Sequence, residues 1–278
     1  MKATLFGVGA LLIWAFLALL SKLASGVPPL QLTAMGFLVA AVAGIGVVAI
    51  RGELHAFRQP PLAWVHGVGG LFGYHALYFA ALAWAPAVEA NLINYLWPLL
   101  LVLLSAPILG MRLGPRRLAG VALGFGGCVL LLGGGARFPV EAWFGFLCAM
   151  GCAFAWSLYS VTARRMSEVP TEAVAGFCAG SALLALLAHV AFETSVMPDG
   201  RQALAVLLLG LGPMGIAFFL WDFGMKHGDP RLLGTLAYAV PVASTLLLIS
   251  GGAGVFTWNL GAALLLVAGG GWLAATAR

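Results

Sequence analysis

Charged residues are scarce in this sequence. Only 8% of its 278 residues are Asp, Glu, Lys or Arg, whereas a soluble domain carries about 25%. Hydrophobic residues make up 62% of the chain, and the mean hydropathy is +1.04. Because so few polar side chains remain to face water, a water-soluble fold is excluded. We expect most of the chain to lie in membrane lipid.

The sequence also lacks the features of nucleic-acid-binding and metal-binding proteins. The net charge is +5, but the basic residues are scattered and form no stripe that could follow a nucleic acid. No CxxC pair is present, and no His lies at metal-ligand spacing. Cys148 and Cys152 could share a helix face, but buried thiols more often serve packing. The four cysteines, all in apolar runs, are Cys128, Cys148, Cys152 and Cys178. We predict no nucleic-acid partner, no metal and no cofactor.

Motifs of nucleotide hydrolysis and of common membrane enzymes are missing as well. No GK[ST] triplet follows a glycine-rich stretch, which argues against ATP as the direct energy source. The zinc-protease pattern HExxH and the nucleophile elbow GxSxG are not found either. Two GxxxG pairs, Gly69-x3-Gly73 and Gly120-x3-Gly124, are interpreted as sites of close helix contact. These patterns predict that the chain is not an enzyme.

Long apolar runs are what the sequence does contain. A helix needs about 20 mostly apolar residues to cross a bilayer. The predicted fold class is all-α and integral to the membrane, with ten spans at about 2–24, 28–50, 61–84, 88–109, 115–133, 141–163, 171–192, 203–226, 230–252 and 256–277. Met1 and Lys2 before an apolar run resemble a signal peptide, but the run is long for one. It also has a counterpart later in the chain, so we interpret it as the first span.

Lysine and arginine predict the orientation of these spans. With the N-terminus in the cytoplasm, eleven basic residues, Lys2 and Arg278 among them, fall on the cytoplasmic side. Three fall outside, namely Lys22, Arg137 and Arg201. A missed or additional span would invert the second half of the chain and remove this bias. We therefore expect both termini to be cytoplasmic.

The two halves of the chain resemble each other. Matching residues lie 141 to 143 positions apart: Trp14 with Trp156, Lys22 with Arg164, Pro28 with Pro170, Tyr95 with Tyr238, Pro98 with Pro241, and Gly120 with Gly261. The predicted domains are a first repeat at 1–135 and a second at 136–278. Because each repeat has an odd number of spans, the second must be inverted relative to the first. Inverted repeats are typical of secondary transporters, whose substrate site lies near the middle of the membrane.

Aromatic and polar residues deep inside the spans are the candidate binding residues. A phenol or an amide in hydrocarbon costs free energy unless it finds a partner, so such side chains tend to face a cavity or another helix. The candidate substrate-binding set is Trp14, Tyr74, His75, Tyr78, Asn91, Asn94, Tyr95, Trp97, Trp156, Tyr159, Trp221 and Tyr238. The alternative is that these groups only form hydrogen bonds between helices.

Two prolines, Pro98 and Pro241, occupy equivalent positions in the two halves. Each removes a backbone donor and is expected to free the carbonyl four residues earlier, at Asn94 and at Ala237. Each could be a passive kink. Since the two are paired by the repeat, we predict that they mark bending points where a cavity opens and closes.

Ionisable residues within the spans are few. Asp222 precedes Lys226 by four residues, which is consistent either with an ion pair at the membrane interface or with a proton or substrate-amine site. His75 lies near the middle of the third span and could bind a carboxylate or titrate. Glu89 is expected to be solvated at the outer end of the fourth span.

The chain resembles the YddG-type aromatic amino acid exporters, in the EamA branch of the drug/metabolite transporter superfamily. The residues that carry this resemblance are Asn94–Pro98 with Glu89 and Asn91 before them, Lys2–Leu5, Arg58-Gln59-x-Pro61, Trp221-Asp222-x-Gly224 and His227-Gly228. The resemblance implies a basket-shaped fold of ten helices in a bacterial inner membrane. It also implies export of Phe, Tyr, Trp and other amino acids or their analogues.

We therefore interpret the chain as an alternating-access exporter of aromatic and other apolar amino acids. One alternative is the same fold with a different metabolite or a drug as cargo. Another is an intramembrane enzyme, which the missing catalytic groups disfavour. The sequence leaves open the energy coupling and whether the protein is a monomer or an oligomer; its expected partners are the small-molecule cargo and membrane lipid.

Overall fold

The computed structural model describes residues 2–134, 136–250 and 256–277, and all regular structure within them is helical. The α-helices in chain order are α1 Lys2–Trp14, α2 Leu17–Leu23, α3 Pro29–Ile50, α4 Pro61–Trp84, α5 Ala87–Asn94, α6 Trp97–Leu109, α7 Pro115–Leu132, α8 Trp143–Ala163, α9 Ala173–Phe192, α10 Gly200–Leu211, α11 Ala217–His227, α12 Pro230–Leu236, α13 Ala239–Ser250 and α14 Trp258–Thr276. A π-helix, Gly212–Ile216, joins α10 to α11.

These helices form the ten predicted spans. Nine segments in the described part of the chain are long and apolar enough to cross a membrane: Lys2–Leu23, Pro29–Ile50, Ala87–Leu109, Pro115–Leu132, Val140–Met166, Ala173–Phe192, Gly200–His227, Pro230–Ser250 and Trp258–Thr276. The remaining span is α4, which has 24 residues and a lower hydropathy because it contains His, Tyr, Trp and several glycines. The all-α prediction is confirmed. Residues 251 and 252 of the predicted ninth span, Arg278 and the predicted domain boundary at Gly135 lie outside the described residues.

Prolines begin many of the helices. Pro29, Pro61, Pro115 and Pro230 are each the first residue of a helix, where a missing N–H costs nothing. In α10 the start is instead a capping box, in which the Asp199 carboxylate accepts the backbone N–H of Gln202. The chain thus re-enters the bilayer through short, well-defined turns.

The fourth and ninth spans are each broken into two helices at the same relative position. The breaks fall at residues 95–96 and 237–238, just before Pro98 and Pro241. The sequence predicted kinks here, and the structure shows a two-residue break in each α-helix, across which Tyr95 and Ala237 still donate to the carbonyls four residues earlier. One detail of the prediction was wrong, because the Ala237 carbonyl is not free. It accepts the backbone N–H of Val240 at 3.0 Å.

Close contacts between the two halves hold the bundle together. α1 packs on α11, α3 on α9, α4 on α8, α6 on α12 and α7 on α14. At the last of these contacts Gly120 lies against the backbone of Gly270, so a Cβ at Gly120 would stand 2.6 Å from the Gly270 carbonyl oxygen. The predicted role of the Gly120–Gly124 pair in packing is thereby confirmed.

The prediction for the other glycine pair was wrong. Neither Gly69 nor Gly73 has a described residue within 4 Å of the place where its Cβ would lie. Gly67 and Gly70 make the close contacts of α4 instead, against the rings of Phe177 and Tyr159. Successive residues lie about 100° apart around an α-helix, so Gly69 points away from the side of α4 that Gly67 and Gly70 share, and the pattern located the right helix and the wrong face.

The two ends of the bundle are packed differently. At one end the Thr4 hydroxyl accepts the backbone N–H of Asp229, and Arg117 bonds both to Asp229 and to the Ala277 carbonyl. We call this end the basic face; Arg164 also lies there, donating to the Gly228 carbonyl. At the opposite face, none of the residues of α2 is buried, and α13 buries only Pro241 and Val242.

Candidate functional site

Aromatic rings from both halves of the chain meet inside the bundle next to the basic face. We call this group the ring cluster; its members are Trp14, Phe37, Tyr74, His75, Tyr78, Trp97, Trp156, Tyr159, Phe218 and Trp221. The structure therefore brings together eight of the twelve predicted binding residues. They come from five different spans, which explains why no single stretch of sequence displays the cluster.

Trp156 of α8 is at the centre of the ring cluster. Its ring centroid lies 5.7 Å from that of Trp14 and 5.4 Å from that of Tyr74. The distances to Trp97 and Trp221 are 6.4 and 6.3 Å. Most of these pairs meet edge to face or at a tilt, the arrangements that the ring quadrupoles favour. Trp156 is only 4% exposed, so its indole is held by the surrounding rings.

Hydrogen bonds fix the orientation of the tryptophans. The Trp14 indole N–H donates to the Pro213 carbonyl at 2.9 Å, inside the π-helix, where wider turns leave carbonyls without their usual helical partner. The Trp221 indole N–H donates to the Ser160 hydroxyl at 3.0 Å. Both donors are thus used within the protein, and both rings offer only their faces and edges to a ligand.

A string of polar groups runs along α4, α5 and α8 towards the opposite face. The Tyr78 hydroxyl donates to the Asn91 amide oxygen at 2.7 Å, and the Asn94 amide donates to the Tyr74 hydroxyl oxygen at 3.1 Å. The thiol of Cys152 lies 3.3 Å from the Asn94 side-chain oxygen. These bonds attach the broken fourth span to the ring cluster, so a movement of α5 would move Tyr74 and Tyr78 with it.

One ring nitrogen of His75 has no hydrogen-bond partner among the described residues. Its Nδ1 lies 2.7 Å from the Leu71 carbonyl oxygen, so Nδ1 carries the hydrogen of that bond. The ring meets Phe37 and Tyr74 edge to face, with centroids 5.1 and 5.2 Å apart. Nε2 is the atom left to meet a ligand, and the half-buried imidazole lies at the edge of the ring cluster.

Asp222 and Lys226 form a buried ion pair at the inner edge of the ring cluster. The Lys226 ammonium lies 2.7 Å from Asp222 Oδ2, and the two side chains are 3% and 6% exposed. The Thr171 hydroxyl donates to the same Asp222 oxygen at 2.7 Å, and Lys226 donates to the Val169 carbonyl at 2.8 Å. The predicted i,i+4 ion pair is present. It is buried inside the protein.

Two predicted binding residues lie apart from the ring cluster. Tyr238 is fully buried among Val121, Val242 and Val267, and its ring lies 6.1 Å from that of Phe125. Tyr95 packs against the same second core. The repeat places both tyrosines in the broken parts of the fourth and ninth spans, where each side chain turns towards α7 and α14.

The expectation that Glu89 is solvated was wrong. Its residue exposure is 5%, and its carboxylate accepts the backbone N–H of Arg137. The loop that follows α7 folds over the start of α5 and covers this side chain. Nearby, an open pocket of about 370 Å³ lies between α5, α7 and the loop after α7; its lining is mostly apolar and includes Leu92, Leu96 and Phe125.

Sequence reasoning missed three residues of the site. Phe37 and Phe218 stack at 5.9 Å within the ring cluster. The His66 Nε2 lies 2.8 Å from the Thr162 hydroxyl, and its ring stacks on Tyr159 at 4.8 Å. The spacing of Phe218 and Trp221, three residues apart on one helix face, was a signal that could have found Phe218. Phe37 and His66 carry no such signal.

At the basic face, Asp229 lies in the turn between the eighth and ninth spans. Asp229 lies 3.1 Å from Arg117 and 3.1 Å from Arg231. Burial alone would raise the pKa of the Asp229 carboxyl, but the hydrogen bonds and charges of Arg231 and Arg117 outweigh it and lower that pKa. The carboxylate therefore stays ionised and joins the starts of α7 and α12.

A bundle of ten spans with an aromatic interior that is closed at one end defines a membrane transporter of small molecules. The model of the EamA-like transporter family matches residues 1–133 and 143–276, so each half of the chain matches the same family. The chain therefore belongs to the EamA-like transporter family, and the resemblance seen in the sequence is confirmed.

Individual relatives agree with this assignment. The aromatic amino acid exporter YddG of Ancylobacter novellus is 51% identical over 97% of this chain and 95% of that protein. YddG of Salmonella typhimurium is 24% identical over 88% of this chain and 87% of its own length. A crystal structure of a protein 51% identical in sequence superposes with a TM-score of 0.95 and covers 98% of this chain and 96% of that one. These relatives and the family are transporters, not enzymes.

Proposed function

We propose that this protein exports aromatic and other apolar amino acids across a bacterial inner membrane by alternating access. The observation that carries the proposal is the ring cluster centred on Trp156. The side chain of an aromatic cargo would pack against these rings in place of the contacts that they make with one another. Each ring pair contributes about 0.5–1.5 kcal/mol, and the indole faces can also attract the ammonium of an amino acid. The names of the relatives support the same cargo.

The proposed orientation places the basic face and both termini in the cytoplasm. Arg117, Arg164 and Arg231, which the positive-inside rule assigns to the cytoplasm, meet at this face. The tightly packed end would then be the cytoplasmic gate and the loosely packed end the outer opening. The two halves, divided near residue 135, would act as inverted repeats that rock about the ring cluster.

The broken spans would supply the moving parts. Pro98 and Pro241 lie just after the two interruptions, where the backbone is already free to bend. The fourth span is bonded to the ring cluster through Asn91 and Asn94. Bending there would change the spacing of Tyr74 and Tyr78, so Asn91 and Asn94 would act by positioning rings, and His75 Nε2 would be free for the cargo.

A cargo rich in phosphate fits the site poorly. Lys226, the buried cation beside the ring cluster, is paired with the Asp222 carboxylate at 2.7 Å, so this pair carries no net charge. A nucleotide or sugar-nucleotide carrier needs uncompensated cations for its phosphates. The charges here suit a cargo that is neutral overall, such as an amino acid at neutral pH.

Efflux of labelled Phe from liposomes that contain the purified protein tests the proposal. We expect saturable efflux that Trp inhibits, and the comparison with and without a pH gradient identifies the coupling. Trp156→Ala should lower efflux at least tenfold, because it empties the centre of the ring cluster, and Trp14→Ala and Trp97→Ala should also lower it.

Trp272→Ala is the matched control, since Trp272 is 67% exposed on the outside of α14. It should leave efflux unchanged. Correctly inserted wild-type protein that moves no Phe would refute the amino-acid cargo. Full efflux by the Trp156, Trp14 and Trp97 variants would refute the ring cluster as its binding site.

A further inference from the structure

The buried ion pair of Asp222 and Lys226 has bonding capacity to spare. Among the described residues, both hydrogen bonds accepted by Asp222 end on Oδ2, so Oδ1 keeps its lone pairs. The Lys226 ammonium has three hydrogens and donates two of them, to Asp222 and to the Val169 carbonyl. An anion acceptor and a cation donor therefore stand side by side, each able to take one more partner.

Both groups line a small void that also touches the ring cluster. The void holds about 10 Å³, room for one water molecule. Its polar lining is Asp222, Lys226, His66 and Tyr159. Tyr159 belongs to the ring cluster as well, with its ring 5.2 Å from that of Trp156. The charged pair and the aromatic site are thus neighbours that share one side chain.

Fold stability alone does not account for a charged pair in this position. Removing two ions from water costs several kcal/mol each, and replacing a buried pair by apolar residues of similar size is often neutral or stabilising. The pair joins α11 to the segment between α8 and α9, through Thr171 and Val169. Separating these elements would remove the Thr171 hydroxyl and the Val169 carbonyl, and the two charges would keep only each other as partners.

We propose that Asp222 and Lys226 are the recognition site for the charged backbone of the cargo when the basic face opens. Asp222 accepts the α-ammonium group and Lys226 donates to the α-carboxylate, so a zwitterion replaces each partner that the opening removes. The cargo side chain lies against Tyr159 and Trp156. The class of ligand is an amino acid with both charges free. This inference rests on the proposed function and extends it to the inner side of the site.

The pairing also couples the opening of the basic face to the binding of cargo. Without a zwitterion the two charges have only each other, and the basic face stays closed. With a zwitterion bound, both charges are satisfied in the open state as well. Analogues that lack one charge replace only one of the two lost hydrogen bonds and leave the other charged group with an unmade hydrogen bond, which is costly.

Competition against labelled Phe efflux tests this assignment. The competitors are unlabelled Phe, 3-phenylpropionate, which lacks the ammonium, and phenethylamine, which lacks the carboxylate. In the wild-type protein we expect each analogue to need at least about a tenfold higher concentration than Phe, as expected for the loss of one hydrogen bond to a charged group.

A variant of either charged residue should abolish the discrimination between Phe and one of the two analogues. Asp222→Asn should abolish the difference between Phe and 3-phenylpropionate and keep the difference from phenethylamine. Lys226→Met should do the reverse. If Asp222→Asn does not reach the membrane, Asp222→Glu replaces it, and we expect a smaller loss of discrimination that is again confined to 3-phenylpropionate.

Glu193→Gln is the control, because Glu193 belongs to another partly buried ion pair, 2.9 Å from His189, at the opposite face. It should keep both differences. Wild-type protein that exports Phe but does not discriminate against the analogues would overturn the inference. So would charge variants that slow efflux and keep both differences, since that is the behaviour of a purely structural pair. Wild-type protein without Phe efflux would instead refute the proposed function.

Discussion

Two adjacent glycines of α4 allow the packing of the ring cluster to be tested with a single methyl group. Gly70 lies against Tyr159, and a Cβ built on Gly70 would stand 2.9 Å from the Tyr159 Cβ. Gly69, the preceding residue, has open space at the same position. Because Cβ contacts are ordinarily at least 3.4 Å, α4 and α8 must separate by about half an ångström or more in Gly70→Ala.

The free energies of unfolding of the two variants should differ by an amount that follows from this contact. Replacing Gly by Ala in a helix gains about 1 kcal/mol in both variants, so this gain cancels in the comparison. Overpacking costs about 1–3 kcal/mol and applies only to Gly70→Ala. We therefore expect Gly70→Ala to be less stable than Gly69→Ala by about 1–3 kcal/mol.

Thermal unfolding of both variants in the same detergent measures this difference. At about 2–4 °C per kcal/mol for a chain of this size, the midpoints should lie several degrees apart. Gly70→Ala should also slow Phe efflux, because Tyr159 and Trp156 move with α8. Equal midpoints in the two variants would refute the close approach of α4 to Tyr159, and with it the packing that we describe for the ring cluster.

Two further predictions concern the faces of the bundle. The lowered pKa of the Asp229 carboxyl stabilises the fold above the ordinary carboxyl pKa of about 4, and this stabilisation should be lost as the pH falls through the lowered value. Thermal unfolding measured from pH 7 to pH 3 should show this loss in the wild-type protein and not in Asp229→Asn. Glu193 accepts the backbone N–H groups of Leu30 and Gln31 at 2.9 and 3.0 Å, so Glu193→Ala should cost about 1–2 kcal/mol in the same assay. Substitution of the exposed Glu168 by Ala should cost almost nothing, and an equal loss in both variants would contradict the capping role.

The spans could be predicted from the sequence because the bilayer imposes a simple rule. Every backbone polar group in lipid must be satisfied within its own helix, so a run of about 20 apolar residues can adopt only one structure. Pro61 and Pro115 begin helices as the pattern predicts. The position of the break at Tyr95 was predicted, but its extent was not. Pro98 removes only one backbone donor, and tertiary packing decides whether the helix continues.

The site was less predictable, because its contacts cross between spans. Trp14, Trp156 and Trp221 could be selected as aromatic residues deep in apolar runs, and the structure joins them. Tyr238 met the same criterion and lies in a different core. His66 lies near the start of its span and gave no such signal, yet it lines the void beside Asp222. Composition predicts which residues need partners, and only the packing of helices decides which partners they find.

The arginine side chains of the basic face have two different functions. Arg117 and Arg231 donate to the carbonyls of Ala277 and Arg112 at 3.1 and 2.9 Å, and Arg164 and Arg165 donate to those of Gly228 and Ile108. Carbonyls at helix ends lack helical partners, and cations there are favourable. During insertion the same charges hold these loops on one side of the bilayer. Moving the arginines to reverse the topology would also remove these hydrogen bonds, so the direction of insertion and the direction of transport cannot be changed independently.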